Sequence, residues 1–200
     1  FTPLTARPGD DVKVVDLDGD STLDVVAGGS QDGSITALYG RGDGTFEVVP
    51  VATGQGTVMA VVVGDFDGQN ALDIAWSAHF SRNIVVAAST GPRSYTTTTT
   101  SIPFVTASHL FSADLDADGE VDLGLVGWTT SQAPLSSFCN TCVTTLRGNG
   151  DGTFRVPPAT DLAAYAQAPD SAFGDNTGFG WGPYSPDPAD LDGDGDFDLV

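Results

Sequence analysis

Apolar residues come in short runs, separated by residues that favour turns. Residues 12–15, 23–27, 35–39 and 46–49 each read as a short strand, and Gly, Asp or Asn stands between one run and the next. No window keeps the i, i+3, i+4, i+7 spacing of an amphipathic helix for three turns. The five consecutive threonines of residues 96–100 fit an exposed, β-branched outer strand. The chain is therefore predicted to be all-β, in units of four antiparallel strands.

The units repeat. Asp16-Leu17-Asp18-Gly19-Asp20 leads to Asp24, and the same pattern returns from Asp65 to Asp73, from Asp114 to Asp122 and from Asp190 to Asp198. The first two steps are 49 residues each and the third is 76. Gly42-Asp43-Gly44-Thr45-Phe46 returns at residues 150–154, with Tyr95 in the same place in the middle repeat. These landmarks divide the 27 extra residues of the third step into 10 before Phe154 and 17 after it. Repeats are expected at about 11–53, 60–102 and 109–160, with insertions near 129–141 and 169–188 and an incomplete fourth repeat at 188–200. A four-stranded unit with a period near 49 matches a β-propeller blade, whose repeats run to ~40–50 residues.

The acidic loops carry the clearest chemistry. Carboxylates at relative positions 1, 3, 5 and 9 of a curled loop repel one another, and a hard cation with oxygen ligands relieves that repulsion. The expected Ca²⁺ ligands are Asp16, Asp18, Asp20 and Asp24; Asp65, Asp67, Gln69 and Asp73; Asp114, Asp116, Asp118 and Asp122; and Asp190, Asp192, Asp194 and Asp198. The backbone carbonyls at position 7 (Thr22, Ala71, Glu120 and Asp196) would complete each shell. Gly at position 4 or 6 permits the tight curvature. An EF-hand is excluded, because position 12 is Ala27, Trp76 or Leu125 rather than Glu, inside predicted strands. Gln69 replaces the acid at position 5 of the second loop, so that site is expected to be the weakest of four.

The Asp loops together with the Gly-Asp-Gly-Thr-Phe turn resemble the FG-GAP/VCBS repeat, the blade unit of integrin α-subunit propellers and of many secreted bacterial and fungal proteins. The resemblance implies a β-propeller, typically seven-bladed, with Ca²⁺ on the loop between strands 1 and 2 of a blade. This chain would hold about three and a half such blades. Residues 1–4 would be an outer strand left from an earlier blade. The arc would be either cut from a longer chain, the favoured reading, or completed by other copies through its open blade edges.

Propeller topology puts both insertions on the face opposite the Asp loops, the side where long insertions usually bind. Trp128, Trp181 and Tyr184 are the expected ligand contacts there, for a glycan or an extracellular protein, and Ser30, His79 and Trp128 occupy equivalent places. Cys139 and Cys142 read as a local disulfide in an oxidising compartment, with two free thiols as the alternative. Arg41-Gly42-Asp43 spells an adhesion tripeptide, but the repeated turn already accounts for Gly42 and Asp43.

Composition narrows the partners. With 27 acids against 7 bases the formal charge is −20, which disfavours nucleic acid. The longest aliphatic run, residues 58–63, is far short of the ~20 residues that span a bilayer, so no membrane insertion is expected. No Gly-x-Ser-x-Gly elbow, dinucleotide loop or His-Glu-x-x-His occurs, and the loop positions use 15 of the 27 acids. The expected protein is a non-catalytic binding or adhesion module, secreted or on a cell surface. The alternatives are a structural subunit of a surface assembly or filament and an accessory domain of a secreted polysaccharide-active enzyme.

Overall fold

The computed structural model describes residues 11–29, 31–54, 56–79, 81–102, 105–129, 142–157, 166–167, 188–189 and 198–199. Among them are fifteen strands and no helix, so none that could cross a membrane. Strands β1 (Asp11–Val15), β2 (Asp24–Gly28), β3 (Ile35–Gly40) and β4 (Phe46–Ala52) form one antiparallel sheet in sequence order. Strands β5 (Val58–Gly64), β6 (Asp73–Ala78), β7 (Asn83–Gly91) and β8 (Ser94–Ser101) form the second. Strands β9 (Val105–Ala113), β10 (Asp122–Thr129), β11 (Cys142–Gly148) and β12 (Phe154–Arg155) form the third. These are three up-and-down blades, and the 96–100 threonine run lies in an outer strand as expected.

The blades stack face to face, with innermost strand β5 packed against both β1 and β9. This is the arrangement of a β-propeller. One apolar layer joins blades 1 and 2 through Val26, Ile35 and Tyr39 on one side and Val61, Ile74 and Trp76 on the other. A second joins blades 2 and 3 through Val62, Phe66, Ile84 and Val86 against Leu110, Leu123 and Leu125. The middle blade therefore buries both faces, and every residue of β6 is buried. Each large side chain in these layers contributes roughly 1.5–3 kcal/mol by leaving water. The outer strand β4 alternates between exposed and half-buried positions over most of its length.

Register ties each Asp loop to the turn between strands 1 and 2. The residue before the loop pairs with the position-9 Asp: Val15 with Asp24, Gly64 with Asp73 and Ala113 with Asp122. The same pairing joins Ala189 in β14 (Pro188–Ala189) to Asp198 in β15 (Asp198–Leu199), so the fourth repeat begins with the same hairpin.

Blade 3 absorbs its extra residues in two ways. Ten lie between β10 and β11, as expected. The outer edge of β11 is shared by β12 and by β13 (Ala166–Gln167), with Val143 opposite Ala166 where blade 1 sets Ile35 opposite Ala52. Blade 3 thus runs to Gln167, beyond the expected boundary at 160, because part of the later insertion interrupts its outer strand. Residues 1–4 lie outside the described residues.

Candidate functional site

The three described Asp loops share one geometry. Position 9 anchors each loop: Asp24, Asp73 and Asp122 are 0–1% exposed at the starts of β2, β6 and β10. One carboxylate oxygen accepts the N–H at position 2, from Leu17 at 2.8 Å, Phe66 at 2.9 Å and Leu115 at 3.0 Å. The other reaches the third strand of the same blade, accepting from Gly40 at 2.7 Å, Ser89 at 2.8 Å and Gly148 at 2.7 Å. Position 1 closes the loop by accepting the N–H at position 6, from Ser21 to Asp16 at 2.8 Å, Asn70 to Asp65 at 2.8 Å and Gly119 to Asp114 at 3.0 Å.

Curvature comes from left-handed residues at both positions 4 and 6: Gly19 and Ser21, Gly68 and Asn70, Ala117 and Gly119, with φ between 58° and 95°. Glycine fills one of the two places in every loop, and Ser, Asn or Ala the other.

Positions 1, 3 and 9 converge. In Asp16/Asp18/Asp24, Asp65/Asp67/Asp73 and Asp114/Asp116/Asp122, one carboxylate oxygen from each residue lies within 4.8 Å of the others. Position 5 does not join them. Asp20 and Asp118 are exposed, and each accepts the N–H two residues on, from Thr22 at 2.7 Å and Glu120 at 2.9 Å. Gln69 at the same position is also exposed. Thr22, Ala71 and Glu120 at position 7 are half-buried in the bend before the second strand. Asp190, Asp192, Asp194 and Asp196 lie outside the described residues, as does the side chain of Asp198.

The converging groups fit a hard cation. Only oxygens face one another, and Asp116 Oδ1 is buried with no hydrogen-bond partner, an acceptor that a cation would satisfy. Burial pushes the Asp73 carboxyl up to about 6, Asp67 adds to the rise, and three backbone N–H groups oppose it.

Two arginines enter this face. Arg93, in the turn between β7 and β8, crosses to blade 1, where it meets Glu47 at 2.5 Å and Asp18 at 3.4 Å and stacks over the Tyr39 ring at 4.6 Å. Arg147, on β11, pairs with Asp116 of its own blade. The next turn round also reaches back, since Gly152 N–H donates to Phe66 O at 2.9 Å. Sequence reasoning missed both arginines. The signal available was that Arg93 departs from the Gly-Asp-Gly turn of the other repeats. Those turns are structural: Asp43 and Asp151 each accept both the N–H and the hydroxyl of the Thr two residues on.

On the opposite face, the His79 and Trp128 rings meet edge to face with centroids 6.1 Å apart, which joins equivalent positions of blades 2 and 3. Beside blade 2 is a cavity of about 230 Å³, lined by Gly54, Trp76, Ala78, Ser81, Asn83, Val85 and Thr99. The sequence did not single out Trp76 as a ligand contact; it is 1% exposed, and its indole N–H has no partner. Ser30, Trp181, Tyr184 and Cys139 lie outside the described residues, and Cys142 is described only as the first residue of β11.

Stacked four-stranded blades with an Asp loop in each first hairpin define a β-propeller repeat protein. Residues 16–76 match the family model described as FG-GAP-like repeat, so the chain carries that repeat. The match spans the first Asp loop to the sixth strand. No curated protein matches. A solved structure described as the basis of specific recognition of non-reducing terminal N-acetylglucosamine by an Agrocybe aegerita lectin is similar at 23% identity and a TM-score of 0.48. The match covers 72% of this chain and 36% of the lectin chain.

Proposed function

We propose that the chain is part of an extracellular, non-catalytic β-propeller that is stabilised by calcium on its Asp loops and binds glycan on the opposite face. The observation that carries the binding reading is the His79–Trp128 ring pair, where equivalent loops of blades 2 and 3 meet on that face. Aromatic rings stack on the apolar faces of sugars, and a separate cavity on the blade 1 side of the middle sheet offers the hydroxyl and amide groups of Ser81, Asn83 and Thr99. At about 230 Å³ the cavity is below the ~300 Å³ where drug-sized sites begin, a size suited to one sugar residue. Calcium is supported by the oxygen-only convergence in three loops and by the FG-GAP-like repeat that contains the first two.

Screening the chain on an immobilised glycan panel tests the binding reading. Specific retention, weakened at least tenfold by W128A, is expected. Retention that W128A leaves unchanged, or none at all, rejects it. Calcium titration with thermal melting tests the other half, where saturable uptake and a higher melting temperature are expected.

A second reading is favoured by a separate observation. On the side of blade 1 turned away from blade 2, Val14 is 62% and Val48 60% exposed. Such a face is suited to another blade, so an assembling subunit predicts masses above the monomer by light scattering.

A further inference from the structure

We infer that, of the three described Asp loops, the middle one (Asp65, Asp67 and Asp73) takes up calcium first, because the fold already supplies a cation to each of the other two. The inference rests on the calcium reading above and concerns the order of filling. In blade 1, Asp18 faces the Arg93 guanidinium at 3.4 Å. That guanidinium is held from two further directions, by Glu47 at 2.5 Å and by the Tyr39 ring at 4.6 Å. In blade 3, Asp116 is paired with Arg147. Among the described residues, no Lys or Arg forms an ion pair with Asp65, Asp67 or Asp73.

A guanidinium keeps its charge at every relevant pH, so a dication entering the outer two loops must share a carboxylate with a fixed positive group. Repulsion between the two falls with distance and is reduced by solvent, because the Arg93 and Arg147 side chains are 33% and 59% exposed. The expected penalty is therefore on the order of tenfold in affinity rather than thousands.

This order reverses the one expected from Gln69. The substitution at position 5 is costly only if all four carboxylates of the other loops converge. In the folded loops Asp20 and Asp118 turn away to backbone N–H groups and lie outside the converging set. Gln69 therefore removes nothing from the set that converges, and the arginines decide the ranking.

Calorimetric titration of the full chain with calcium chloride tests this, with the fourth loop silenced throughout by D192N. The tightest phase is expected to vanish in D67N and to persist in D18N and D116N. R93Q and R147Q are expected to strengthen the weaker phases roughly tenfold without moving the tightest one. Both arginines are partly exposed, so these two variants keep the test open if an Asp variant fails to fold. A tightest phase that survives D67N, or weaker phases unmoved by both Arg variants, overturns the ranking while leaving calcium binding intact. No saturable uptake in any variant or in the D192N chain itself overturns the calcium reading and the ranking together.

Discussion

Asp24 and Gly40 are joined by a 2.7 Å hydrogen bond from the Gly40 N–H to the buried carboxylate, and this bond closes the Asp loop onto the third strand. The other oxygen of Asp24 is held by Leu17. Asp24 is thus a structural brace as well as a candidate cation ligand. D24N turns one acceptor into an amide donor facing an N–H, and it is expected to destabilise the chain by about 1–3 kcal/mol even in EDTA. D18N, which weakens an ion pair with the partly exposed Arg93, is expected to change stability in EDTA by less than about 1 kcal/mol. Urea unfolding of both variants in EDTA checks the contrast.

Ala117 sits at φ 58°, a left-handed conformation that costs an L-residue roughly 1–2 kcal/mol. A117G is therefore expected to stabilise blade 3 by several tenths of a kcal/mol, with the greater backbone entropy of glycine in the unfolded chain offsetting part of the gain. The unfolding midpoint should rise, whereas the same change at a residue with negative φ should lower it.

Asp73 gives the metal-free protein a distinctive pH response. Its carboxyl is raised to about 6 in the fold from the ordinary 3.8, so the folded state holds its proton more firmly than the unfolded chain does. The resulting stability is fully present below about pH 4 and is lost as pH rises through about 6. The loss approaches 3 kcal/mol by pH 7 at about 1.4 kcal/mol per pH unit. Unfolding midpoints in EDTA across this range should show that decline. D73N should flatten it, and calcium at pH 7 should restore the lost stability.

Gly124 on β10 lies opposite Phe111 on β9, and a Cβ added there would stand 1.8 Å from the Phe111 ring. Phe111 is only 5% exposed, so the ring has little room to shift. G124A is expected to cost about 1–3 kcal/mol. F111L should recover part of that loss when combined with G124A, although alone it destabilises; a double-mutant cycle measures the coupling.

The blade repeat was legible because the two periodicities agree. Apolar positions alternate within each strand, and the Asp and Gly-Asp-Gly landmarks recur at fixed spacing. The 10-residue insertion shows the power of that frame. Asp24 reaches Gly40 and Asp73 reaches Ser89, each 16 residues on, whereas Asp122 reaches Gly148 after 26. What could not be read was how each carboxylate is used. An Asp that accepts backbone N–H groups and one that faces a cation are the same letter, so position 5 looked like a ligand and position 9 concealed a brace. Arg93 was invisible for another reason: its partner Asp18 is 75 residues away, in a different blade.

The crossing of Arg93 onto Asp18, and of Gly152 onto Phe66, makes the next blade's hairpin part of the surroundings of the first two Asp loops. The unit that shapes such a loop is consequently out of phase with the sequence repeat, joining the start of one blade to the middle of the next. Blades cut and exchanged at repeat boundaries would each arrive with the wrong neighbour's hairpin. A transplantable module would instead have to include the following repeat as far as its third turn.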